Sequence, residues 1–284
     1  MMTKVFFPRT IDVNLTSKCN LDCTFCWGPN HSIPDGLTTV QWKQLIGYFA
    51  KNGTRSVIFT GGEPLLREDV DEVIKYTYEL GLYTTLSTNA LLLRNRAFQV
   101  LPYVSQIGIP LDGSSSRRSE LMRGSLDSFS SSLNALKLVR VNYPNIEITV
   151  RTLVSKVNID DILNIAEILE NFIDYFDRWK IYKFIPISIG SKYAENHITP
   201  ISEFNSIINQ LKTKSHKLRQ KTVYYLPSEE FKRHLFIGSL GDLYSQINAT
   251  SYKTIGNFFD LSEETLKKEL SQLVDSKKNS QHGI

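Results

Sequence analysis

The 284-residue chain has three cysteines, and all of them fall within one run, CNLDCTFC, as Cys19, Cys23 and Cys26. Thiolates are soft ligands suited to iron–sulfur clusters. Three of them on one short loop can hold three corners of a cube-shaped cluster. They cannot complete the four-cysteine shell that a plain electron-transfer cluster takes. One iron is then left without a protein ligand and can bind a small molecule.

Other chemistry fits this run less well. A structural zinc site wants four closed ligands, and its cysteines usually come in C-x2-C or wider pairs. His31, five residues past Cys26, is the one nearby candidate for a fourth ligand. A disulfide framework needs an even count and a secretory context, and the N-terminus MMTKVFFPRT shows no signal-peptide pattern. Thiol catalysis needs one activated cysteine rather than three spaced along a loop. A second run, GGEP at 61–64, pairs two residues without side-chain bulk with a carboxylate. Backbone there can approach a ligand closely, and Glu63 can accept a charge-assisted hydrogen bond. The same run also suits a strand-to-helix turn, with Glu63 favourably placed near a helix N-terminus.

Short β-rich runs alternating with helical patterns must position these residues. TIDVNLT (10–16) leads into the cysteine loop, and SVIFT (56–60) leads into GGEP. LYTTLSTN (82–89), QIGIPLD (106–112), IEITVRTLV (146–154) and RWKIYKFIPI (178–187) come next as further strands. Helical spacing of apolar residues predicts helices over 38–52, 69–80, 94–101, 125–141 and 159–172, with Gly53 and Gly81 as stops. Strand–helix alternation implies parallel strands with right-handed crossovers. The pattern alone leaves an open sheet and a partial barrel equally available. Beyond 188 it weakens to a loop (189–199), a helix (202–220), a tyrosine-rich hairpin region (222–256) and a last helix N-capped by Ser262.

With both motifs placed at the ends of consecutive strands, the chain resembles the radical S-adenosylmethionine (radical SAM) family over about residues 10–190. C-x3-C-x2-C with Phe25 before the third cysteine, then GGEP, carries the resemblance. It implies an α/β fold: a partial (β/α)6 TIM-like barrel over 1–190, and a small C-terminal α+β segment over 191–284 that caps the barrel and shapes the substrate pocket. It implies a [4Fe–4S] cluster on Cys19, Cys23 and Cys26, whose open iron chelates S-adenosylmethionine. Reductive cleavage would then give a 5′-deoxyadenosyl radical that takes hydrogen from a small-molecule or peptidyl substrate. Cofactor contacts are expected from Phe25 and Trp27 near the adenine, with Gly28 beside them, and from Gly61, Gly62 and Glu63 toward the ammonium. Ser87 and Asn89 are expected near the ribose or carboxylate, Asp112 near the ribose and Arg151 at the carboxylate. Arg123 is a weaker candidate. Tyr182, Lys183 and Tyr193 are candidates for substrate contact, with Lys183 favouring an anion. His197 is read as an idle loop histidine.

The expected electron donor is a flavodoxin- or ferredoxin-type reductant. With no fourth cysteine the chain can hold one such cluster, which excludes auxiliary-cluster chemistry within these residues. The RWKIYKFIPI strand and the C-terminal layout behind it resemble viperin-like nucleotide dehydratases loosely, but Trp27-Gly28 stands where that group carries an aromatic–histidine pair. A non-catalytic iron or redox sensor is the rival from another class. The net charge of +4 does not call for a nucleic-acid partner, and no apolar run approaches the roughly 20 residues that span a bilayer. These features and the unpaired cysteines lead to the expectation of a reducing cytoplasm.

Overall fold

A computed structural model describes residues 7–28, 36–225, 235–248 and 251–275. All its strands belong to one ten-stranded sheet, in the order β10-β9-β8-β1-β2-β3-β4-β5-β6-β7. The first six strands are β1 (Thr10–Thr16), β2 (Ser56–Gly61), β3 (Tyr83–Ser87), β4 (Gln106–Pro110), β5 (Glu147–Val154) and β6 (Arg178–Lys183). They pair in sequence order and in parallel. Between them run α1 (Thr39–Lys51), α2 (Val70–Glu79), α3 (Leu93–Val100), α4 (Ser116–Arg123), α5 (Asp127–Asn142) and α6 (Ile162–Asn171). Thr38 and Gln41 close a capping box on α1, and Gly53 and Gly81 leave their helices at φ +110° and +74°.

The strands alternate between two environments. Ile11, Val13, Val57, Phe59, Ile148 and Trp179 are fully buried in the core against the helices. Their neighbours Asp12, Thr60, Thr149, Arg151 and Lys180 face the other way, into the lumen of the partial barrel. The lumen is therefore polar while the helix-facing side is oily, and whatever binds there meets charge and hydroxyls.

Two findings differ from the sequence expectation. Ser116–Arg123 forms its own helix, where the pattern predicts one helix beginning at 125. Only Ser119 and Met122 of it are buried, so it carries no apolar period to detect. The residues after 190 are continuous with the core sheet. They form the turns α7 (Ile189–Lys192) and α8 (Ala194–His197), then α9 (Ile201–Leu211) and α10 (His216–Lys221), where one helix is expected. Their strands join the same sheet at both edges. β7 (Thr222–Tyr225) pairs in parallel with β6, and β8 (Leu235–Ile237) pairs in parallel with β1. β9 (Asp242–Gln246) and β10 (Tyr252–Asn257) add an antiparallel hairpin. Finally α11 (Glu263–Asp275) starts at Ser262, whose hydroxyl accepts from Thr265 N at 3.2 Å as expected of its N-cap.

Candidate active site

The cysteine loop leaves the C-terminal end of β1 and is bound to its surroundings at several points. Gly62 N donates to Thr16 O at 2.8 Å, and Glu63 N donates to Lys18 O at 2.7 Å. A Cβ on Gly61 would overlap Thr16 O, and one on Gly62 would overlap Lys18 O. The paired glycines thus let the turn after β2 close onto the root of the cysteine loop. The close approach predicted for them is made by the chain's own backbone.

Burial pushes all three thiols up, Cys23 to about 12, which disfavours free thiolates. Several groups act in the opposite sense. Gly28 N donates to Cys26 Sγ at 3.3 Å, and the backbone at Leu21 and Asn20 favours the Cys19 thiolate. The Arg123 guanidinium lowers both Cys23 and Cys26. N–H donors to sulfur and a nearby cation favour a ligated, negatively charged cluster, so these residues fit one. Asn89 donates through Nδ2 to Asn20 Oδ1 at 2.7 Å and lies 4.0 Å from Cys19 Sγ, which brings it to the cysteine loop.

Glu63 is 1% exposed, and three donors of its own chain occupy its carboxylate. These are Leu65 N at 3.0 Å, Thr88 Oγ1 at 2.7 Å and Asn89 N at 2.6 Å. Burial still raises it to about 7. Where a contact with the cofactor ammonium is expected, the carboxylate ties the end of β3 to the turn after β2. Asp112 departs further from expectation. It is 1% exposed, with Oδ2 paired to Arg123 Nη2 at 2.6 Å and Oδ1 accepting from Leu153 N at 2.7 Å. Both of its oxygens have partners within the chain, and it reaches the cysteines through Arg123.

Arg123 is therefore far more central than its sequence context indicates. Besides Asp112 it faces the Phe25 ring, 5.5 Å from its centroid, and Cys23 Sγ lies 3.7 Å from its carbonyl oxygen. His197, expected to be idle, is buried. Its Nε2 lies 2.7 Å from Thr24 Oγ1 within the cysteine loop, and its Nδ1 lies 3.3 Å from Ser155 Oγ. Gly190 N donates to Cys26 O at 2.9 Å, and Ser188 Oγ donates to Gly28 O at 2.6 Å. The segment after β6 thus holds the loop from above, by contacts that no local sequence signal announces.

Trp27 is 46% exposed and stands edge-on to Phe236 of β8, with centroids 6.0 Å apart. Together with Gly28, Asn14, Tyr244 and Tyr252 they line a cavity of about 360 Å³ beside the cysteine loop. Arg151 crosses β4 to donate to Ser87 Oγ, and a Cβ on Gly108 would overlap its guanidinium. Tyr182 faces the lumen beside Arg151, whereas Lys183 lies on the opposite face of β6 and Tyr193 is 43% exposed. His31 lies outside the described residues.

Residues 13–169 match the family model of the Radical SAM superfamily. The chain belongs to this superfamily. Its members are enzymes that use a [4Fe–4S] cluster and S-adenosylmethionine. The chain is 29% identical over 205 residues to an AdoMet-dependent heme synthase of Oleidesulfovibrio alaskensis, covering 71% of this chain and 52% of that one. It is 39% identical over 88 residues to a PqqA peptide cyclase of Bradyrhizobium diazoefficiens, covering 30% and 23%. Among solved structures it superposes on native anSMEcpe with bound AdoMet and Kp18Cys peptide with a TM-score of 0.71 at 16% identity, covering 96% of this chain and 86% of that one. The last likeness is one of fold. The chain spans about half the length of the heme synthase it matches. Among the described residues no helix is long and apolar enough to cross a membrane.

Proposed function

We propose that this chain is a radical SAM enzyme acting on a peptidyl or small-molecule substrate, with Cys19, Cys23 and Cys26 as the cluster ligands. The observation that carries the reading is the cysteine loop itself: three thiols on one loop docked on GGEP, with N–H donors at Cys19 and Cys26 and the charge of Arg123 favouring the thiolates of Cys23 and Cys26. When bound, the cluster supplies an electron that cleaves S-adenosylmethionine to a 5′-deoxyadenosyl radical, which abstracts hydrogen. The protein's part is to orient and to exclude water. Gly61 and Gly62 hold the loop against the end of β2, and Glu63 fixes the end of β3, so Asn89 is presented beside Cys19. Phe25 and Trp27 offer aromatic surface on either side of the third cysteine for the adenine. Arg151, held by Ser87, presents its guanidinium in the lumen for the cofactor carboxylate.

The radical core is assigned to residues 1–190, and substrate shaping to 191–284. Those later strands supply Phe236, Tyr244 and Tyr252 to the cavity beside Trp27. A peptidyl substrate is supported by the PqqA peptide cyclase relative and by the peptide-bound neighbour in fold. A flavodoxin- or ferredoxin-type protein in a reducing cytoplasm is assigned as electron donor.

Anaerobic reconstitution with iron and sulfide, dithionite reduction with S-adenosylmethionine and mass spectrometry for 5′-deoxyadenosine test the reading. The expected product disappears in Cys19→Ala, together with about a full cluster's worth of iron and sulfide. A brown, cluster-loaded wild-type protein that makes none, with or without candidate peptides, would favour a sensor instead.

A further inference from the structure

The wall of the lumen formed by β5 and β6 holds two cations that form no salt bridge among the described residues. Arg151 and Lys180 are partners in the parallel register of these strands. Fully buried neighbours facing the helices flank each of them, Val150 and Thr152 on one strand, Trp179 and Ile181 on the other. Both side chains therefore rise from the lumen face. Like charges paired across strands are destabilising, and an acid between them would be the ordinary remedy. Glu147, on the same face four residues earlier in β5, is held by Arg178 Nε at 3.0 Å and by Tyr83 Oη at 3.1 Å. Arg151 donates to Ser87 Oγ, and its Nε is buried without a partner. Among the described residues Lys180 makes no hydrogen bond or salt bridge, and its ammonium stands 5.9 Å from the centroid of the Tyr225 ring. Burial and the neighbouring guanidiniums of Arg151 and Arg178 depress that ammonium, and the Glu147 carboxylate offsets them only in part. Beside it Tyr182 stacks on Tyr225, with ring centroids 5.0 Å apart and planes 12° from parallel.

We propose that Lys180 binds an oxyanion of the substrate, a carboxylate or a phosphate, and that the Tyr182–Tyr225 stack is the wall against which the part of the substrate next to that anion lies. The proposal rests on the radical-enzyme reading and assigns the two lumen cations to two anions. Arg151 takes the carboxylate of the cofactor, and Lys180 takes the substrate. Lys183, which the sequence offers as the anion-selective lysine, faces the other side of β6 and takes no part.

Amine acetylation read by mass spectrometry tests this on the full chain, reconstituted with its cluster and saturated with S-adenosylmethionine. Labelling rates at Lys180 and Lys183 are compared in sodium chloride, acetate and inorganic phosphate at equal ionic strength. Lys180 should be protected by acetate, phosphate or both, about threefold at an anion concentration twice the dissociation constant, while Lys183 is unchanged. The better protector identifies whether the substrate group is a carboxylate or a phosphate. Equal rates in all three salts would overturn the proposal. Full protection on adding S-adenosylmethionine alone would also overturn it, because the cofactor would then be the partner of Lys180. As a second measurement, Lys180→Met should leave S-adenosylmethionine affinity within about twofold, while Arg151→Met lowers it about tenfold, the loss of one charge-assisted contact. Equal losses would reverse the assignment. Labelling is read at equilibrium without reductant, so a chain that makes no 5′-deoxyadenosine still answers this question separately.

Discussion

Around the cysteine loop the buried charges are matched within the chain, whereas Arg151 and Lys180 on β5 and β6 form no salt bridge among the described residues. Glu63 takes three donors, Asp112 and Arg123 hold each other, and His197 joins Thr24 to Ser155. Arg151 keeps a buried Nε without a partner, and Lys180 makes no hydrogen bond or salt bridge among the described residues, with the Tyr225 ring 5.9 Å away. Matched groups make a frame that holds its geometry before any ligand arrives, as a cluster site requires. Unmatched cations in a concave, polar lumen have their partners still to come. Damage to the frame should therefore cost stability, and removal of a lumen cation should not.

The largest effect is expected at Arg123. Replacing it with methionine leaves Asp112 buried and uncompensated, a change of about 3–5 kcal/mol in comparable buried pairs. Urea unfolding of the metal-free protein should show this loss, and Asp112→Asn in the same chain should recover part of it. An Arg123→Met protein as stable as wild type would mean that the frame is not held by this pair.

Gly62→Ala comes next. Its Cβ would overlap the Lys18 carbonyl, which is backbone and has little room to yield. The turn and the cysteine loop must separate, at a cost of about 1–3 kcal/mol. Iron and sulfide content after reconstitution should fall with it. Gly108→Ala is the matched control on the other wall, because its Cβ would meet the flexible end of Arg151 and need only push that side chain aside. It should spare cluster content and weaken S-adenosylmethionine binding.

Glu63 gives the frame a pH signature. Burial raises its folded value to about 7 from an ordinary 4.5. The folded state therefore binds the proton more tightly, and this contribution to stability is complete below about 4.5 and lost as pH rises through about 7. Chemical denaturation of the metal-free protein across that window should show the decline. Glu63→Gln should flatten it, from a lower starting stability because its amide faces the Asn89 N–H. An unchanged slope in the variant would assign the decline to other groups.

Much of the frame is legible in the sequence because its signals are local. The three cysteines, GGEP and the alternation of strands with helices each declare themselves within a few residues. Arg123 looks minor in the sequence because α4, which carries it, is mostly polar and has no apolar period. His197 and the contacts of Ser188 and Gly190 escape sequence reading for another reason. They join the cysteine loop across more than 150 residues of sequence, through pairs such as Gly28 with Ser188. The C-terminal strands read as a hairpin region, but their pairing with β1 and β6 depends on sheet edges that no short window contains. The sequence offers Lys183 rather than Lys180, a choice that the two-residue period of β6 decides once the register with β5 is known.

The smallest effect separates the two regions most cleanly. Lys180→Met removes a charge that pairs across strands with Arg151 and keeps an unbranched side chain of similar reach beside Tyr225. No hydrogen bond or salt bridge among the described residues is lost, so no buried partner is left without its mate. Relief of repulsion between neighbouring cations is worth about 0.2–1 kcal/mol. The metal-free variant should therefore unfold in urea at the wild-type midpoint or slightly above it. A residue whose removal stabilises the fold is held against the interest of folding, as groups kept for a ligand are. A loss of about 2 kcal/mol or more, the size expected when a satisfied buried group is broken, would place Lys180 in the frame instead, and the difference between the two regions would disappear.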